Sequence, residues 1–236
     1  MAEPRALAWR AGSAEALRSQ LELDGLPAFE AALLDKKGRE RWLVAAWLAV
    51  RAQALAYPLR VLASERPDFL FDAPGLHMGM ECMEVVPEEF KRLQTELREV
   101  NSGWVEPLRA PGQFDWDWSN PVLAGLLAQA RHQQALHQGP AALWLAVMAW
   151  AVEKKRHVVN RNGFQRRKLN GLLLHDNWPL PQLDPLPVAQ LHEQLCAAGA
   201  YVDFQQVAIV QEAVVWQLEA GGIEELVRPR RLPSAK

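Results

Sequence analysis

Two acidic residues in an otherwise apolar stretch, Asp68 and Glu81, have the types and the spacing to hold a divalent cation. They lie in SERPDFLFDAPGLHMGMECMEVV, residues 64–86. Two runs, Asp68–Asp72 and Leu76–Val86, flank Ala73-Pro74-Gly75, and Pro-Gly is strong turn punctuation, so the stretch predicts a β-hairpin. Side chains alternate along a strand, which groups Asp68, Leu70 and Asp72 on one face of the first run. In the second run Gly79, Glu81, Met83 and Val85 share a face. Glu81 is then an acid inside an apolar strand, where burying a charge is costly unless something pairs with it. Asp68, opening the neighbouring strand, brings a second carboxylate towards it. Two carboxylates converging at a sheet surface suit Mg²⁺ or Mn²⁺.

A counter-charge is available further along. Ala141 to about Asn160 predicts a helix in which Trp144, Val147, Met148, Ala151, Val152, Val158 and Val159 form a broad apolar stripe. Lys155 follows Val152 by three residues and precedes Val159 by four, so it falls on that stripe. A lysine there either meets a carboxylate or a phosphate, or snorkels at the rim of the core. Beyond it, Lys154, Lys155, Arg156, Arg161, Arg166, Arg167 and Lys168 accumulate with no acid between them. Such clusters hold phosphate backbones, which makes nucleic acid the expected partner, although charge runs also occur as plain solvated surface.

The hairpin resembles the active-site ribbon of the PD-(D/E)XK nuclease superfamily: Pro67-Asp68, a turn, then Glu81-Cys82-Met83 after a glycine-bearing strand. The resemblance implies that Asp68 and Glu81 bind metal. The superfamily carries a lysine two residues after the Glu, where it activates or positions the attacking water; here that position is Met83. In some branches the lysine comes from elsewhere, and the resemblance implies that Lys155 fills the role. The superfamily also often has a Glu on the helix before the hairpin, pointing into the metal site. Glu40 occupies that place, with a solvated first-turn Glu favoured by the helix dipole as the other reading. As an order of elements the resemblance runs roughly from Arg41 to Gln217.

The positioning elements follow from periodicity. Ser13 caps a short helix to Leu23, and Leu26–Leu34 resumes a helical pattern. Arg39 to about Tyr57 predicts a helix with Trp42, Leu43, Ala46, Trp47, Val50 and Ala54 on one face. Helices are also expected from Pro87 and over Pro121 to about His137, with a loop between them that contains FDWDWSN. Leu169–His175 reads as an interior strand, LNGLLLH, ending at Asp176, which is either a metal neighbour or a turn residue. Val188–Ala198 reads as a helix, and Phe204–Val210 and Ala213–Glu219 as strands. The expected class is α/β, a mixed central β-sheet flanked by helices with a restriction-endonuclease-like core. One domain is expected over 1–236, with 1–36 as an N-terminal helical extension and 228–236 as a flexible basic tail.

Composition bounds the alternatives. At 236 residues, half of them hydrophobic, the chain has enough apolar surface for a full core. Its formal charge of −2 supplies no global attraction to nucleic acid, so any such attraction must be local. Cys82 and Cys196, the two cysteines, read as free thiols of a reducing cytoplasm. The N-terminus has no signal-peptide core, and Ala141–Val152 is too short to span a bilayer, so no membrane partner is expected. HExxH, zinc spacings, GxGxxG, the P-loop and GxSxG are all missing, which disfavours those chemistries. The residues leave two functions open: a metal-dependent nuclease, or a catalytically degenerate nuclease-fold protein that binds a protein or a nucleic acid.

Overall fold

The structure is a computed structural model that describes residues 6–23, 36–85, 140–161, 163–176, 187–211 and 214–227. Eight strands form one mixed sheet whose spatial order follows the chain: β1 (Leu7–Ala11), β2 (Leu59–Ala63), β3 (Phe69–Ala73), β4 (Leu76–Val85), β5 (Leu169–Asp176), β6 (Gln206–Val210), β7 (Val214–Glu219) and β8 (Gly222–Val227). β1 to β4 pair antiparallel in succession, β4–β5 and β5–β6 are parallel, and β6 to β8 are again antiparallel. The expected mixed α/β sheet is observed.

Helices cover both faces. α1 (Ala14–Leu23) and α2 (Lys36–Arg51) pack with Met80, Cys82, Leu173 and Ala208 on one side. On the other side α3 (Pro140–Val159) and α4 (Val188–Ala197) pack with Leu172, Leu174, Val207 and Ile209. The division follows the two-residue period of a strand. It also explains the unbroken apolar run Leu172–Leu174 in the middle of β5, since a parallel strand covered on both faces has no wet side.

Local signals set the boundaries. Ser13 Oγ accepts the Ala16 N–H at 3.2 Å, which caps α1 as expected. Gly75, with φ 74°, closes the two-residue turn between β3 and β4 in a conformation other residues enter only with strain. Gly199, with φ 64°, stops the chain just past α4.

Several expectations are corrected. The segment 1–36 is not wholly helical: Leu7–Ala11 is an edge strand paired with β2. The helix expected over Arg39–Tyr57 runs instead from Lys36 to Arg51, with a 3₁₀ turn at Ala52–Ala54. β2 then occupies Leu59–Ala63, and a last strand, β8, follows Gly221. The expected helices at 26–34, 87–100 and 121–137, the FDWDWSN loop and the tail 228–236 lie outside the described residues. Among the described residues no helix is long and apolar enough to cross a membrane.

Candidate functional site

β4 supplies Glu81, the residue before β3 supplies Asp68, and α3 supplies Lys155. The register pairs Leu70 with Gly79 and Glu81 with Leu172, so Glu81 faces α3. Asp68 folds back onto β4, where its Oδ2 accepts the backbone N–H of Cys82 at 2.8 Å. Lys155 descends from α3 between the two: its Nζ donates to Glu81 Oε2 at 2.6 Å and lies 3.9 Å from Asp68 Oδ2. Three residues up to 87 positions apart in the chain thus meet at one point, and the inward lysine meets carboxylates.

A close backbone contact permits this. A methyl placed on Gly79 would lie 2.6 Å from Pro67 Cγ, far inside van der Waals contact. Only glycine lets the Pro67 ring lie flat on β4. Its neighbour Asp68 is thereby carried within reach of Cys82 and Lys155.

The site is buried, and this governs its electrostatics. Glu81 is 3 % exposed, Asp68 6 % and Glu40 7 %. Burial, then the charge of Glu81, pushes the Asp68 carboxyl up, while Lys155 and the Cys82 N–H oppose the shift. For Lys155 burial acts against the ammonium, but the carboxylates of Glu81 and Asp68 outweigh it and hold its pKa above the ordinary value. Lys155 is therefore a fixed cation. The Cys82 thiol, beneath the site, is driven well up by burial and by Asp68, which makes it an inert packing group.

Glu40 is not the solvated first-turn residue of the alternative reading. α2 begins four residues earlier, at Lys36, so Glu40 sits in the second turn and is buried. Its carboxyl is raised by burial and by the charge of Asp68. Lys36 and Lys37 reach it from the rim at 3.4 and 3.6 Å.

The donor chemistry fits a divalent cation. Glu81 Oε1 is buried and has no hydrogen-bond partner among the described residues. Among the described residues both side-chain polar contacts of Asp68 fall on Oδ2. Asp68 and Glu81 share one ammonium, so the buried trio carries a net negative charge that a cation would neutralise. Among the described residues no three His, Cys, Asp or Glu side chains form a ready-made cage. Two carboxylates with water and substrate oxygens completing the shell is a normal arrangement for Mg²⁺. Met83, at the lysine position of the resemblance, lies on the Glu81 face and packs at the edge of the α3 core.

The basic stretch is divided. Arg156 Nε and Arg166 Nη2 donate to the two oxygens of Asp203 at 2.9 and 2.8 Å. Burial opposes the charged form of Asp203, but these hydrogen bonds outweigh it and its carboxyl lies below the ordinary range. Arg156, at the end of α3, and Arg166, before β5, are thus both tied to the turn after α4. Lys154 lies 4.6 Å from the Trp150 ring, on the exposed side of α3. Arg161 and Lys168 are exposed, and Arg167 is half-buried. Asp176 accepts from Trp144 Nε1 and Gln211 Nε2, both at 2.9 Å, and so pins the end of β5.

Comparison of the chain with protein-family models, with curated proteins and with solved structures finds no match in any of the three. The functional reading therefore rests on the geometry of the site.

Proposed function

We propose that the protein is a metal-dependent nuclease hydrolysing phosphodiester bonds of DNA or RNA, with Asp68, Glu81 and Lys155 at its centre and Glu40 beside them. The observation that carries the reading is the buried meeting of two carboxylates and one ammonium, with Glu81 Oε1 left unpartnered. The order α2, β2–β4, α3, β5 is compatible with the restriction-endonuclease-like core of the PD-(D/E)XK superfamily. Lys155 supplies, from a helix, the charge that Met83 does not.

Asp68 and Glu81 would hold Mg²⁺ or Mn²⁺, which when bound lowers the pKa of a water and neutralises charge on the scissile phosphate. Lys155 does not act as a general base, because its partners keep it protonated. Its work is to orient the attacking water and to stabilise negative charge as it develops. Glu40, raised by burial, suits the uptake of the water's proton better than an ordinary surface carboxylate. Exclusion of bulk water around these groups strengthens each interaction.

A metal titration tests the reading. Mn²⁺ that binds only the native state raises the melting temperature and gives a calorimetric isotherm, and both effects shrink in Glu81→Ala. No heat at millimolar Mn²⁺ together with an unchanged melting curve would contradict the site. A second reading, a catalytically degenerate protein- or nucleic-acid-binding module, is favoured by the closed Lys155–Glu81 pair, which balances Glu81 without a ligand.

A further inference from the structure

We propose that Arg167 is the residue that grips the substrate backbone at this site, contacting one phosphate next to the scissile one; the proposal rests on the nuclease reading. Besides Lys155, which is part of the site itself, the basic stretch packs Arg167 beside it. Arg167 Cγ lies 3.4 Å from where a Gly79 methyl would stand, beside the Pro67 ring. Gly79 shares a strand face with Glu81, two residues on, so the Arg167 stem crosses β4 one pleat from the metal-type carboxylates.

The backbone of this residue is anchored from two sides. Arg167 N–H donates to Asn170 Oδ1 at 3.1 Å, and Asn170 Nδ2 donates back to the Arg167 carbonyl at 3.2 Å. Gln165 N–H reaches the Arg66 carbonyl at 3.3 Å, joining the segment to the chain that leads into Asp68. Its neighbour Arg166 is held on Asp203. Asp203 thus takes up Arg156 and Arg166, while the Arg167 guanidinium has no carboxylate partner among the described residues.

An arginine that is half-buried, anchored through its backbone, packed by its stem beside the carboxylate strand and without an acid partner among the described residues is a preorganised anion receptor. Arginine's planar fork suits a phosphodiester oxygen pair better than a lysine does. The ligand class is a phosphodiester chain, and the recognition is of backbone rather than of base.

The test compares wild type, Arg167→Met and Arg167→Lys in binding a fluorescent single-stranded oligonucleotide and a duplex, with Ca²⁺ present and salt varied. Methionine keeps an unbranched stem on Gly79 and Pro67, so the variant separates charge from packing, and a melting curve checks that it folds. Arg167→Met is expected to bind about tenfold more weakly and to lower the salt slope by about one. Arg167→Lys should recover the slope and only part of the affinity. If wild type binds and Arg167→Met binds equally with an unchanged slope, the role of Arg167 is overturned while the nuclease reading stands. If wild type binds neither nucleic acid, both fall.

Discussion

The ammonium of Lys155 is central to the site, because one half-buried cation serves two buried carboxylates. Removing one partner of such a group leaves charge uncompensated, so Lys155→Met should lower stability by about 3–5 kcal/mol and abolish cleavage. Urea unfolding and a cleavage assay below the variant's melting point measure the two effects separately. Met83→Lys should retain cleavage or raise it, because residue 83 shares a strand face with Glu81 and its ammonium would approach the same water. Loss of cleavage in a well-folded Met83→Lys would show that the position is not equivalent. The inward position of Lys155 was legible in its spacing on the α3 stripe, whereas its spacing left open whether it meets a carboxylate, meets a phosphate or snorkels. The partners of Arg156 and Arg166 were not legible: Asp203 lies 47 and 37 residues further on, beyond the reach of any local pattern.

Among the elements, β3 and β4 work as a unit through one contact. Gly79→Ala would force the Pro67 ring off β4 and move Asp68 with it. The expected cost is about 1–3 kcal/mol in stability, with a cleavage loss larger than the stability change alone would produce. Rates measured at a temperature where both proteins are folded decide the matter, and equal rates would mean that Asp68 needs no such support. α3, β5 and the β3–β4 hairpin were readable in the sequence because long apolar runs, a lysine in register and Pro-Gly punctuation all agree. β1, β2 and β8 were not. LAWRA and LRVLA are five-residue strands with an arginine each, and β8 carries two acids on an exposed edge. β1 and β8 are the two edges of the sheet, where short, charged strands avoid pairing with other chains and the same features hide their periodicity; β2, paired on both sides, is hidden by its shortness and its arginine.

At the scale of the whole molecule, one sheet joins two apolar cores through adjacent residues of β5, Leu173 on one side and Leu172 and Leu174 on the other. Leu172→Ala should therefore cost about 2–5 kcal/mol. The Asp203 clamp adds a pH dependence. Its folded pKa lies below the unfolded-chain value of 3.8, so its contribution is complete above that value. It is lost as pH falls through the lower folded value. Asp203→Asn should lose about 1.5–3 kcal/mol at pH 7 and show a weaker further loss on acidification than wild type. Urea denaturation at pH 7 and at pH 3 gives both numbers, and parallel pH curves for the two proteins would remove Asp203 from the account.

The most direct test of the central claim is cleavage of plasmid and single-stranded DNA and of RNA in Mn²⁺, by wild type and by Glu81→Ala purified side by side. Wild type should show metal-dependent cleavage that is lost in Glu81→Ala and in the presence of EDTA. Cleavage that survives Glu81→Ala, or a folded wild type that cuts none of these substrates, would contradict the claim.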